Sequence, residues 1–134
     1  MKANEVKKAV VLAAGFGTRL RPLTLVQPKP LLPMWGVPML ERILSLLEKW
    51  GVEEIAVNAH WQAEKVREYI LNRKGVAKVT VAEEPEILGT GGVLNPLRYF
   101  LGTDPFWLVN GDIVIEGLDP QSIVDAYEKS GSRA

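Results

Sequence analysis

The chain has 134 residues, 47% hydrophobic and 24% charged, with sixteen basic and sixteen acidic side chains, zero formal net charge and no cysteine. This is the balance of an ordinary globular chain; it excludes disulfides and thiolate metal sites, and leaves no excess of cations for nucleic acid as a bulk partner. No segment approaches the roughly 20 apolar residues of a membrane span, and the polar start from Met1 to Lys8 lacks a secretory apolar stretch, so a cytoplasmic protein without membrane attachment is expected.

The run from Ala9 to Ala14 is wholly apolar, which predicts a strand covered on both faces in a parallel sheet. Met39, Ile43, Leu46, Leu47 and Trp50 then fall on one face of a helix that Pro38 starts and Gly51 stops. A second strand is expected from Glu54 to Asn58, and Ala63, Val66 and Ile70 predict an amphipathic helix after it. A third strand follows from Lys78 to Ala82. The next helix is expected beyond the glycine-rich turn at position 89, with Asn95 as its cap and Pro96 as its first residue. A fourth strand spans Phe106 to Asn110, and a last helix, with Ile123, Val124 and Tyr127 on one side, begins near Asp119-Pro120. This alternation predicts an α/β, Rossmann-like three-layer fold with a mainly parallel sheet and right-handed crossovers.

Ligands of such sheets bind outside the carboxyl ends of the strands. Four loops converge there: Gly15 to Arg21, Asn58 to Trp61, Glu83 to Gly92, and Asn110 to Asp112. In the first, Gly15 and Gly17 let backbone N–H groups approach an anion, while Arg19, Arg21 and Lys29 supply positive charge. The connection from Gly15 to Val37 is long for a βα loop, and its prolines at 22, 28, 30 and 33 stiffen it. A dinucleotide fingerprint fails because its third glycine falls on Leu20. The G-x-x-x-x-G-K-[ST] phosphate loop fails at Leu20 and Arg21. A flexible turn with incidental arginines accounts poorly for so many cations and prolines in so short a span.

Asp112 leaves the end of an apolar strand beside Gly111, a position that suits Mg²⁺ held by one carboxylate and substrate phosphates; the alternative is an aspartate in a tight Asn-Gly turn. Glu83, Glu84 and Glu86 read either as a solvated acidic loop or, at Glu84, as part of the site. His60, the one histidine, sits beside Trp61 and reads as structural. The four tryptophans are scattered and do not form a stacking platform for single strands.

The stretch Leu12-Ala13-Ala14-Gly15-Phe16-Gly17-Thr18-Arg19-Leu20-Arg21-Pro22-Leu23-Thr24, followed by Pro28-Lys29-Pro30, resembles the nucleotidyltransferase family that activates sugar 1-phosphates, including its mannose-1-phosphate guanylyltransferase and N-acetylmuramate-1-phosphate uridylyltransferase types. Gly89-Thr90-Gly91-Gly92 and Asn110-Gly111-Asp112 continue the resemblance over about the whole chain. It implies the nucleotide-diphospho-sugar transferase type of fold. It also implies that Leu12, Ala13, Ala14 and Gly15 hold the base, that Gly17, Thr18 and Arg19 wrap the triphosphate, and that Arg19 stabilises the departing pyrophosphate. Lys29 would contact phosphate, Gly89, Thr90 and Gly91 would form a second base loop, and Asn110, Gly111 and Asp112 would form the metal turn. Arg19, Lys29 and Asp112 are thus the implied catalytic set, with Mg²⁺ on Asp112 and with a nucleoside triphosphate and a sugar 1-phosphate as partners; an oligomer is left open. Glu84 stands where many members read the base with glutamine. An ionised carboxylate only accepts hydrogen bonds, which points to guanine or uracil.

The family's catalytic domain is longer, so the resemblance implies that residues 1–134 are the nucleotide-binding portion of a truncated domain, without the sugar-binding portion and a second metal carboxylate. A non-catalytic nucleotide-binding regulatory subunit and a phosphocholine cytidylyltransferase are the alternatives; the latter would need an aromatic cage for its quaternary ammonium.

Overall fold

A computed structural model describes residues 1–132. β1 (Lys8–Leu12) leads into a long connection that carries 3₁₀ turns at Thr18–Leu20 and Lys29–Leu31, a four-residue helix α1 (Leu23–Val26), and an antiparallel hairpin of β2 (Pro33–Met34) and β3 (Val37–Pro38). The chain continues through α2 (Met39–Lys49), β4 (Glu54–Ala59), α3 (Ala63–Asn72), β5 (Lys78–Glu83), α4 (Gly89–Gly92), α5 (Arg98–Leu101), β6 (Phe106–Asn110) and α6 (Pro120–Ser130). The main sheet is parallel throughout, in the order β5-β4-β1-β6. After building outward through β4 and β5, the chain crosses back to place β6 on the other side of β1. That reversal puts the topological switch point between β1 and β6, where a crevice opens at the carboxyl ends.

The central strands β1 and β4 form because their apolar residues are buried on both faces. At one edge β6 buries Trp107 and Val109 and leaves Leu108 exposed, and at the other edge β5 is only half-buried. Ala9, Val11, Ile55, Val57 and Val109 join Leu40, Leu44 and Leu47 of α2, Val66 of α3 and Val124 of α6 in one core. By strand alternation Val10 and Ala56 face the opposite way, and both are buried. On that face Lys8 donates from Nζ to the Leu101 carbonyl at 3.3 Å, which ties α5 to the sheet. Among the described residues no helix is long and apolar enough to cross a membrane.

β1 stops at Leu12, two residues short of the apolar run, because the Ala13 N–H turns to the Asn58 Oδ1 at 2.5 Å instead of joining a strand ladder. The segment after β5 also departs from expectation. The glycines at 89–92 themselves form the short turn α4, and the next helix begins at Arg98 rather than Pro96. Asn95 does not cap a backbone N–H with its side chain; its Oδ1 accepts from Arg98 Nη1 at 3.3 Å. At the last helix the expected start holds: Asp119 Oδ1 accepts the Gln121 N–H at 3.1 Å and Pro120 opens α6.

One ionic cluster fastens α2 to the turn after α3. Arg73, whose side chain is 5% exposed, donates to both oxygens of Glu48 at 2.7 and 3.0 Å and to Glu41 Oε2 at 2.9 Å. Tyr69 adds its hydroxyl to Glu41 at 2.8 Å, and Glu48 accepts the Val76 and Ala77 N–H groups. Burial alone would raise the Glu41 carboxyl, but hydrogen bonds from Arg73, Tyr69 and Ser45 outweigh it and hold it below the ordinary range. Arg73 does the same for Glu48 against a smaller burial effect. The Tyr69 hydroxyl is pushed up to about 12 by burial and by the neighbouring Glu41.

Candidate active site

The carboxyl ends of all four main strands border a cavity of about 590 Å³. Leu12, Ala13, Ala14, Gly15, Gly17, Thr18 and Arg19 line it from the β1 loop, with Lys29 from the second 3₁₀ turn. Glu84, Gly89 and Thr90 line it beyond β5, and Asn110, Gly111 and Asp112 beyond β6. Gly91, expected among them, lies in α4 outside the lining. Arg21, one of the three expected cations, is also outside it; the 3₁₀ turn ends at Leu20, and Arg21 follows it in extended backbone.

The cationic loop is held by its own packing. Gly17 has φ +63°, and a Cβ there would lie 2.6 Å from the Cγ2 of Thr24, so only glycine fits. Thr24, fully buried, returns a hydrogen bond from Oγ1 to the Gly17 carbonyl at 2.7 Å. The segment after β4 clamps the loop from outside. Trp61 donates from Nε1 to the Thr24 carbonyl at 2.8 Å, Gln62 from Nε2 to the Leu25 carbonyl at 3.0 Å, and Lys65 to that of Val26. His60 sits outside the cavity, edge-on to Phe16 at 5.3 Å, with Nδ1 2.6 Å from the Glu84 carbonyl oxygen. Within this frame the N–H groups of Gly15, Phe16 and Gly17 have no protein acceptor among the described residues.

Across the crevice the Gly111 N–H donates to the Leu12 carbonyl at 2.7 Å, and a Cβ on Gly111 would stand 2.6 Å from that oxygen. This close approach brings Asp112 against the β1 loop, where its Oδ2 accepts from Lys29 Nζ at 2.7 Å. Residues after the first and fourth main strands are thereby joined at the switch point.

Glu83 and Glu86 are exposed, as a solvated acidic loop requires, but Glu84 is only 4% exposed. Its carboxylate accepts from Asn58 Nδ2 at 2.8 Å and from the Leu88 N–H at 3.2 Å. Asn58, which the sequence reading did not place in the site, also lines the cavity. Its signal is in the sequence, where a lone amide ends the apolar run Ile55-Ala56-Val57 of a strand buried on both faces.

A switch-point cavity with a cationic loop, free amides and a carboxylate turn matches more than a generic ligand pocket, for residues 8–134 match the family model described as nucleotidyl transferase. The chain belongs to the nucleotidyl transferase family. It is 29% identical over 152 residues to UTP--glucose-1-phosphate uridylyltransferase of Staphylococcus epidermidis, covering 96% of this chain and 53% of that protein. With UTP--glucose-1-phosphate uridylyltransferase 2 of Staphylococcus saprophyticus the identity is 30%, with the same coverage. Among solved structures, HddC from Yersinia pseudotuberculosis complexed with GMP-PN superposes with a TM-score of 0.78 at 31% identity, over 91% of this chain and 54% of that one. UDP-glucose pyrophosphorylase complexed with UDP-glucose gives 0.78 at 20% identity over 94% and 55%, a likeness of fold. This nucleotidyl transferase chain therefore spans about half the length of the curated relatives it matches.

Proposed function

We propose that the cavity holds a nucleoside triphosphate, and that residues 1–134 are the nucleotide-binding portion of an enzyme that transfers a nucleoside monophosphate to a sugar 1-phosphate. The observation that carries this reading is the joint arrival of Arg19, Lys29 and the unpartnered Gly15 to Gly17 amides in one crevice at the switch point. An anion there meets guanidinium, ammonium and backbone donors together. Relatives named for UTP and a structure named for GMP-PN accord with uracil or guanine as the base.

In the proposed reaction an oxygen of the sugar phosphate attacks the α-phosphorus, the bond to the β-phosphate oxygen breaks, and pyrophosphate leaves with the electron pair. The attacking group is already an anion, so no general base is required. Arg19 and Lys29 neutralise charge that develops on the phosphates, and the β1 loop holds the triphosphate in place. Of the two carboxylates on the cavity, Glu84 is buried with a protein donor on each oxygen, whereas Asp112 is exposed and meets Lys29 on Oδ2 alone, so Asp112 is the one that would hold a cation. A single carboxylate fits Mg²⁺, which keeps water and phosphate oxygens as its other ligands. When bound, the ion supplies charge neutralisation at the phosphates. The cytoplasm, where nucleoside triphosphates are made, is the proposed location.

Pyrophosphate release tests this reading, with four nucleoside triphosphates crossed against several sugar 1-phosphates, on this chain and on a form extended to the length of its relatives. Release that depends on one sugar phosphate is expected from the extended form. Tight nucleotide binding without release from any pair would point instead to a regulatory subunit.

A further inference from the structure

Two polar side chains lie inside the apolar floor of the crevice, and both are nearly sealed from solvent. Asn58 and Glu84 are each 4% exposed. They form one continuous chain of hydrogen bonds across the sheet. The Ala13 N–H donates to Asn58 Oδ1 at 2.5 Å, Asn58 Nδ2 donates to Glu84 Oε1 at 2.8 Å, and the Leu88 N–H donates to Glu84 Oε2 at 3.2 Å. Backbone contacts fix the glutamate further: its own N–H donates to the Ala59 carbonyl at 2.8 Å, and its carbonyl oxygen lies 2.6 Å from His60 Nδ1. Ala13 begins the cationic loop, whereas Leu88 immediately precedes the Gly89–Gly92 turn. The chain of bonds therefore joins the two walls of the cavity from beneath.

The polarity of this chain admits few residue pairs. A carboxylate only accepts, and the Ala13 and Leu88 groups only donate. The residue between must offer one acceptor and one donor, which an asparagine amide does. Both oxygens of Glu84 hold protein donors and the residue is 4% exposed, so its carboxylate is turned into the protein and offers a base edge little surface to meet.

We propose that Asn58 and Glu84 form an internal strut that sets the spacing of the two cavity walls, and that Glu84 acts on nucleotide choice as a positioning residue rather than by reading the base itself. This rests on the reading of the cavity as a nucleotide site.

A polarity swap tests it. Asn58→Asp alone sets two carboxylates against each other, and Glu84→Gln alone leaves an amide donor facing an amide donor. In the double variant N58D/E84Q the carboxylate moves to position 58 and the amide to position 84. Every bond is then restored with one reversed, at unchanged net charge. Binding of GTP and of UTP is measured by calorimetry on this chain, and exchange of the Leu88 amide is followed by NMR. Each single variant should weaken both nucleotides by about 10-fold or more and speed Leu88 exchange. The double should recover affinity to within about 3-fold, with the wild-type ratio of GTP to UTP affinity and with slowed exchange.

A ratio that shifts in Glu84→Gln and stays shifted in the double would show that the carboxylate itself reads the base, and would overturn the proposal. So would a double variant no better than the worse single. If a single variant fails to fold, the Leu88 exchange of the double against wild type still decides. Should the wild type bind neither nucleotide while the swap restores Leu88 protection, the strut stands and the nucleotide-site reading fails.

Discussion

Lys29 Nζ donates to Asp112 Oδ2 at 2.7 Å across 83 residues of sequence, so a phosphate-binding candidate and a metal-binding candidate neutralise each other in the free chain. Their side chains are 32% and 45% exposed, which makes the pair a surface contact, worth about 1 kcal/mol or less to stability. The pair's placement therefore reads as functional. Lys29→Ala should shift the unfolding midpoint in urea by an amount equivalent to less than about 1 kcal/mol. The same variant should weaken nucleoside triphosphate binding by about 10-fold, the value of one charge-assisted hydrogen bond. Parallel denaturation and calorimetry on the one variant separate the two effects.

The Gly111 substitution should behave in the opposite way. A methyl group at 2.6 Å from the Leu12 carbonyl oxygen would force the β6 turn away from β1 and break the Gly111 N–H bond to that oxygen. Gly111→Ala should cost about 1–3 kcal/mol by urea denaturation, and nucleotide affinity should fall with it. A variant as stable as wild type would show that the turn relaxes without strain.

Acid should loosen the Arg73 cluster. Glu41 and Glu48 both titrate below their ordinary 4.5 in the folded chain, so their contribution is complete above about pH 4.5 and is lost as the pH falls through their lowered folded values. Thermal midpoints should decline over that acid range. Arg73→Met, which strands two partly buried carboxylates, should cost about 3 kcal/mol at neutral pH and flatten the decline below pH 4.5. Thermal scans of both proteins from pH 3 to pH 7 provide the check.

Much of the fold was legible because apolar runs and helical spacing report burial directly. The four main strands and α2, α3 and α6 arise where Ala9 to Leu12, Ile43 and Leu47, Val66 and Val124 indicated. The switch-point cavity followed from strand order and from loops that carry glycine, cations and Asp112. Other features depend on contacts that no local pattern encodes. Arg73 meets Glu41 from 32 residues away, and the position of Arg21 depends on where the short turn before it ends. Glu84 could be read either way in the sequence because its buried carboxylate meets a partner, Asn58, 26 residues before it. The glycine-rich α4 likewise has poor intrinsic helix propensity and is shaped by its surroundings.

The cap of α6 offers a local test of the same reasoning. Asp119→Ala removes the acceptor of the Gln121 N–H and should cost about 1 kcal/mol, with no effect on nucleotide binding, since Asp119 lies outside the cavity. Denaturation and nucleotide titration of this variant also supply a control for Lys29→Ala.

The central claim is that the crevice between the β1 loop and the β6 turn binds a nucleoside triphosphate through Arg19 and Lys29. Titration of UTP and GTP into this chain with Mg²⁺, beside Arg19→Ala and Lys29→Ala, tests it most directly. Saturable one-to-one binding by wild type is predicted, about 10-fold weaker in each variant at unchanged stability. Absence of saturable binding, or equal affinity in all three proteins, would contradict it.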